Sequence, residues 1–148
     1  MPPWLWRHRT LAGSNLAMIG MGIVLMAPTT FLPTFGQAVL GLGAITAGLL
    51  LAGMSIGWPV ASSLSGRFYL RTGFRDVGLA GAVLVVLAVG AFLLVTYPGR
   101  LLPLFAGQLL LGAGFGLLST PLLVGGQSTV TWHQRGVVTS ANIFSRYL

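Results

Sequence analysis

Few side chains in this sequence could take part in bond making. It holds one acidic residue, Asp76, two histidines, His8 and His133, and no cysteine. No pair of acids for general acid–base work, no thiolate nucleophile and no cluster of metal ligands can be assembled from that set, so no enzyme, metal or cofactor is expected. What the sequence offers instead is positive charge, all eight of its basic residues being arginine. Arg67, Arg71 and Arg75 stand with Asp76 in the stretch Ser65–Asp76, between long apolar runs, and the chemistry of such a stretch is electrostatic: it is held at a membrane surface. Arg146 differs: it lies inside an apolar segment, where an arginine must face protein or water and marks a functional position by default, the alternative being that this short end segment does not insert. The other polar side chains within apolar runs that could line an internal cavity are Asn15, Thr30, Gln37, Gln108, Ser119, Thr120 and Gln127.

Helices must position these groups. Hydrophobic residues make up 55% of the 148 and charged residues 6%, against about a quarter charged in soluble domains. The expected class is therefore all-α integral membrane, with the lipid bilayer as first partner. A net charge of +7 does not point to nucleic acid, because the arginines form no stripe along one face. Since a span needs about 20 residues, helices are expected at about 10–35, 44–65, 77–97 and 101–131, with the start of a fifth at 137–148, too short to cross. Gly36, Gln37, Gly41 and Gly43 supply the first break and Pro98-Gly99-Arg100 a turn. Pro28 and Pro33 are expected to kink or interrupt the first helix. The apolar run after Met1–Arg9 is longer than the roughly 7–15 residues of a secretory signal core, so that segment reads as a lead-in.

Of the eight arginines, Arg7, Arg9, Arg67, Arg71, Arg75 and Arg135 fall at helix ends that alternate onto one face, which the positive-inside rule makes cytoplasmic. Trp4, Trp6, Phe35, Tyr69, Tyr97 and Trp132 lie near helix ends, as interfacial aromatics do. The third helix, from Val77, has no strongly hydrogen-bonding side chain and is expected to face lipid. The first and fourth carry the polar groups and have reason to line a protein interior or a wet cavity. Gly112 and Gly116 suit a close helix contact or a substrate-side kink. Met18, Met21, Met26 and Met54 suit either packing or an adaptable apolar pocket. Asp76, at the start of the third helix, is placed to cap free amides and meet the positive dipole end. If the fifth helix starts near Val137, Arg146 lies about 14 Å along it.

Three motifs in order carry a family resemblance. Gly66, Arg71, Gly73 and Arg75 fit G-x-x-x-D-R-x-G-R-[KR], the loop that joins the second and third helices of each half in the major facilitator superfamily. The run Phe31-Leu32-Pro33-Thr34-Phe35-Gly36-Gln37, with Gly41 and Ala47-Gly48 beyond it, is similar to the opening of the second half of fourteen-helix drug:proton antiporters. Gln134-Arg135-Gly136-Val137 with Arg146 resembles the start of their penultimate helix. The resemblance implies one partial transporter domain over 1–148, four helices and the beginning of a fifth from the C-terminal half of a multi-pass protein of the bacterial inner (cell) membrane. It further implies efflux of drugs or other small molecules by proton antiport and alternating access. The missing N-terminal half and the remaining C-terminal helices would be its partners, coupling acids would lie in the missing half, and the chain alone would be inactive. Leu70 occupies the pattern's acidic position, which removes the acid that a gating role would use. The competing expectation is an autonomous small four-helix membrane protein with an assembly or regulatory role. A small dimeric exporter would need an intramembrane carboxylate.

Overall fold

The computed structural model describes residues 4–94 and 101–147. A short α1 (Trp4–Arg7) leads into α2 (Arg9–Ala38), followed by α3 (Ala44–Thr72), α4 (Phe74–Leu94), α5 (Leu101–Ser128), a 3-10 turn at Trp132–Gln134 and α6 (Arg135–Arg146). Among the described residues there is no strand. The four helices α2 to α5 are each long and apolar enough to cross a membrane. In lipid, a chain must satisfy its own backbone hydrogen bonds, and the helix does so within one segment.

The helix limits differ from the sequence expectation in an instructive way. α2 runs to Ala38 through both Pro28 and Pro33 instead of ending at about 35. A proline removes one backbone hydrogen bond, but with no water to compete for the neighbouring groups the flanking turns stay helical. α3 continues to Thr72, so the break expected from Gly66 to Asp76 shrinks to the single residue Gly73. Gly66 lies in open space within the helix, and the arginines and leucine that follow are good helix formers. Gly73 ends the run with φ +98°, a conformation that side chains resist. α4 then starts at Phe74, three residues before Val77. The expected end at Tyr97 and the Pro98-Gly99-Arg100 turn lie outside the described residues. α5 stops at Ser128, and α6 occupies Arg135–Arg146.

α5 is the centre of the bundle because its glycines let two other helices come close. Toward α3, a Cβ at Gly112 would collide with the Met54 backbone, and one at Gly116 with the Trp58 carbonyl. The contact is reciprocal, since Gly53 and Gly57 of α3 rest on the backbone of Phe105 and Leu109. Toward α4, Gly81 and Gly114 meet backbone to backbone, and Gly107 lies under the Phe92 ring. Small residues allow this approach, and van der Waals contact drives association where lipid removes any hydrophobic difference. Between these seams lies a core of Met18, Met21, Met54, Val85, Ala88, Leu111 and Phe115, with the Trp58 ring 5.4 Å from that of Phe115. Three of the four methionines weighed above are therefore packed, and Met26 is exposed. α4 buries Val77, Gly81, Val85 and Ala88 and leaves Leu79, Val83, Val86, Leu87 and Leu93 exposed, an apolar outer face suited to lipid.

One contact occurs twice. Gly112 of α5 sits against the carbonyl and Cα of Met54 in α3, and Gly22 of α2 sits against the same backbone atoms of Arg146 in α6. The order α2–α3 is thus repeated by α5–α6, each opening helix receiving the second helix of the other set. Because α2 leaves the arginine-rich end and α5 returns to it, the two sets run oppositely across the membrane, as inverted transporter repeats do.

Candidate functional site

The arginine-rich turn is built by the ends of α3 and α4. The Gly73 amide donates to the Tyr69 carbonyl at 3.0 Å, closing α3, and the Tyr69 and Phe74 rings stack at 4.8 Å across the turn. Phe74 also rests against Gly125 of α5. Arg67, Arg71, Arg75 and Asp76 all point to the exterior. The capping expectation for Asp76 is corrected in part: it occupies the first turn of α4, where the dipole favours an acid, but among the described residues its exposed carboxylate accepts no amide hydrogen bond. Phe74 occupies the helix start and moves Asp76 past the capping position. Leu70 is 80% exposed, so the side chain at the motif's acidic position faces outward.

A second polar group joins α2, α5 and α6. Asn142 Nδ2 donates to Asn15 Oδ1 at 3.0 Å and to Ser14 Oγ at 3.1 Å, and Ser14 Oγ donates to the Leu122 carbonyl at 3.0 Å. Asn15, Asn142, Ser65 and Ser145 are buried, yet Asn15 Nδ2, Asn142 Oδ1, Ser65 Oγ and Ser145 Oγ have no partner. Gln127 Nε2 donates to Thr139 Oγ1 at 2.7 Å, a direct tie between α5 and α6. Sequence reasoning passed over Asn142. The available signal was the spacing of Val138, Ala141, Asn142 and Ser145, which puts one polar pair on the buried stripe of a short amphipathic helix.

Two cavities hold the remaining candidates. The larger, about 520 Å³, lies between α2, α4 and α5 and is lined by Val24, Pro28, Phe31, Phe35, Phe92 and other apolar side chains. Among the described residues its one hydrogen-bonding side chain is Gln108, 0% exposed, with neither amide atom partnered. The smaller, about 260 Å³, is lined by Ile19, Gly22, Ile23, Leu25, Met26, Thr29, Arg146 and Tyr147. The Arg146 guanidinium lies 5.5 Å from the Trp58 ring and 4.8 Å from the Tyr147 ring. Its Nη2 donates to the Tyr147 hydroxyl at 3.1 Å, and its buried Nε has no partner. Of the eight residues singled out for a cavity, then, Gln108 and Arg146 line these two. Asn15 and Gln127 tie helices together, Thr120 Oγ1 donates to the Gly116 carbonyl at 3.1 Å, Ser119 is half-buried, and Thr30 and Gln37 are exposed. Gly112 and Gly116 are packing surfaces for α3. Among the described residues no cluster of metal-ligating side chains exists.

An inverted helical repeat with intramembrane cavities is the architecture of secondary transporters. The chain belongs to the Major Facilitator Superfamily, whose family model matches residues 3–148. It is 29% identical over 148 residues to the "Multidrug transporter protein MdtP" of Bacillus subtilis, covering 99% of this chain and 27% of that protein. It is 25% identical over 143 residues to "Multidrug resistance protein 3" of the same organism, 97% of this chain and 28% of that one. A "Triacylglyceride transporter" of Mycolicibacterium hassiacum is 29% identical over 154 residues, 96% of this chain and 28% of that protein. The chain thus spans about a quarter of the length of these relatives. It is an integral, multi-pass segment of a membrane transporter rather than of an enzyme.

Proposed function

We propose that the complete protein exports lipophilic small molecules of the multidrug kind by proton antiport and alternating access, in a bacterial inner membrane, with this chain supplying helices of its C-terminal half. The observation that carries the reading is the cavity of about 520 Å³ with an apolar, aromatic wall and a single buried carboxamide, Gln108. Drug-sized ligands occupy pockets of about 300–1,000 Å³ with a few polar groups for orientation. The naming of relatives as multidrug transporters supports the same substrate class. Proton coupling needs a titratable group in the membrane, and the one side-chain acid of this chain is Asp76, exposed at the arginine-rich end. The coupling acids therefore belong to helices outside this chain. The turn at Gly73, flanked by Arg67 and Arg71 at the end of α3 and Arg75 at the start of α4, is the cytoplasmic hinge between the two helices.

A lipid as cargo is the second reading, favoured by the uncharged lining of the larger cavity among the described residues and by relatives named as triacylglyceride transporters. Both readings are tested in proteoliposomes holding the complete protein, with an imposed pH gradient and either a lipophilic fluorescent dye or a labelled triacylglycerol. Gradient-driven dye movement that a protonophore abolishes supports the first, and triacylglycerol movement alone supports the second. The 148-residue chain by itself should match empty vesicles, because alternating access needs two halves around a midplane site. Saturable uptake by the chain alone would restore the autonomous four-helix reading.

A further inference from the structure

We propose that Arg146, held between the Trp58 and Tyr147 rings at the smaller cavity, is a binding site for a carboxylate carried on an apolar body. Depth comes first. The Arg146 backbone rests on Gly22, thirteen residues beyond the start of α2 at Arg9, which is about 20 Å along the helix and so deep in the hydrocarbon. A guanidinium there is costly unless paired or solvated. Its present partners are neutral: two ring faces, each within the roughly 6 Å over which a cation is attracted, and one phenol oxygen. Its Nε is buried with no acceptor.

Nothing on this chain's side chains neutralises it. The single acidic side chain is Asp76, in the first turn of α4 at the far, arginine-rich end of the bundle. The cavity that Arg146 faces, about 260 Å³, is otherwise walled by Ile19, Gly22, Ile23, Leu25, Met26 and Thr29, whose hydroxyl is turned back onto the Leu25 carbonyl at 2.8 Å. A planar fork with a free donor, set in an apolar wall, matches a carboxylate, which accepts two parallel hydrogen bonds from guanidinium. The ring faces hold the fork's plane, and of its donors only Nη2 is engaged among the described residues, by the Tyr147 hydroxyl, a neutral acceptor that a carboxylate can displace. An uncharged ligand would leave the charge uncompensated, and a cationic one would be repelled. The site thus favours amphipathic acids over the cations of the same apolar bulk.

The inference rests on the membrane-embedded position of Arg146 and not on transport, so a binding measurement separates it from the proposed function. The chain is placed in phosphatidylcholine nanodiscs with Trp58 as its single tryptophan, using Trp4→Phe, Trp6→Phe and Trp132→Phe, and is extended past Leu148 by a neutral Gly-Ser tail to displace the terminal carboxylate. Dodecanoate should change Trp58 fluorescence saturably, at least about tenfold more tightly than dodecanol, as a charge-assisted pair requires. Arg146→Gln should abolish the preference. Arg146→Lys, which keeps charge but loses the fork, should retain part of it and shows that loss in the Gln variant is not misfolding. In the complete protein the same dodecanoate response identifies a free amphiphile as the source of the carboxylate. Its recovery there only after an intramembrane Asp or Glu of another helix is neutralised identifies a protein side chain instead, and leaves carboxylate recognition standing. Equal affinity for dodecanoate and dodecanol, or a preference that survives Arg146→Gln, overturns the proposal.

Discussion

Asn142 of α6 donates its Nδ2 hydrogens to Asn15 Oδ1 at 3.0 Å and Ser14 Oγ at 3.1 Å, joining two helices whose residues stand 127 positions apart in sequence. All three side chains are buried, in an environment where a lost partner is not replaced by bulk water. Asn142→Ala should therefore destabilise the α2–α6 pair by about 1–2 kcal/mol, and a double-mutant cycle with Asn15→Ala should give a coupling of about 0.6 kcal/mol, the average for interhelical hydrogen bonds in membranes, and no more than about 1.7 kcal/mol. Unfolding in mixed micelles measures both.

Gly112→Ala should cost far more than its one methyl suggests. The new Cβ would meet backbone atoms of Met54, which cannot rotate away, so α3 and α5 must separate. Gly20→Ala adds the same methyl where nothing lies within 4 Å and should be neutral or stabilising by up to about 1 kcal/mol through helix propensity. Thermal stability in detergent, compared for the two variants, checks the difference in sign.

The two glycines of the arginine-rich motif should behave oppositely. Gly73→Val places a β-branched residue at φ +98°, where it is a steric outlier, and should lower folded yield and, in a complete transporter, transport. Gly66→Ala falls within α3 in open space and should be tolerated. Yield by fluorescence-detected size exclusion reads both, and equal tolerance would reduce the turn to a loose connector.

Gln108→Leu should stabilise this chain, because both of its amide atoms are buried without partners and an unpaired buried polar group costs about 1–3 kcal/mol. In the complete protein the same change should lower transport. Stability gained without loss of transport would assign Gln108 no part in the cavity's function.

Single cysteines at Gln37 and Thr72 test the membrane orientation. Both positions are exposed and stand at opposite ends of the α2–α3 pair. The arginine bias makes Thr72 cytoplasmic and Gln37 external, so an impermeant maleimide should label only Gln37→Cys in intact cells.

Composition alone determined the membrane class of this protein, since 6% charge and 55% hydrophobic residues leave no soluble alternative, and of the two structures that lipid allows, helix and closed barrel, the long apolar runs select the helix. Arginine positions and three short motifs carried the family, because topology and tight turns are set locally, by the residue that stands at a helix end. Gly73 was legible for that reason: one turn demands one backbone conformation. Helix limits were less so, because proline and glycine break helices in water more readily than in lipid, and α2 and α3 run through both. Tertiary structure decided which polar residue does what. Asn15 and Gln108 look alike in sequence, each a lone amide in an apolar run, yet Asn15 is paired by Asn142 while Gln108 faces a cavity unpaired. Which helix face meets which neighbour depends on contacts between residues far apart in the chain, and no local pattern encodes them. The same holds for Arg146: its depth follows from Gly22, on a helix that begins more than a hundred residues earlier, and its aromatic cradle from Trp58 on a third.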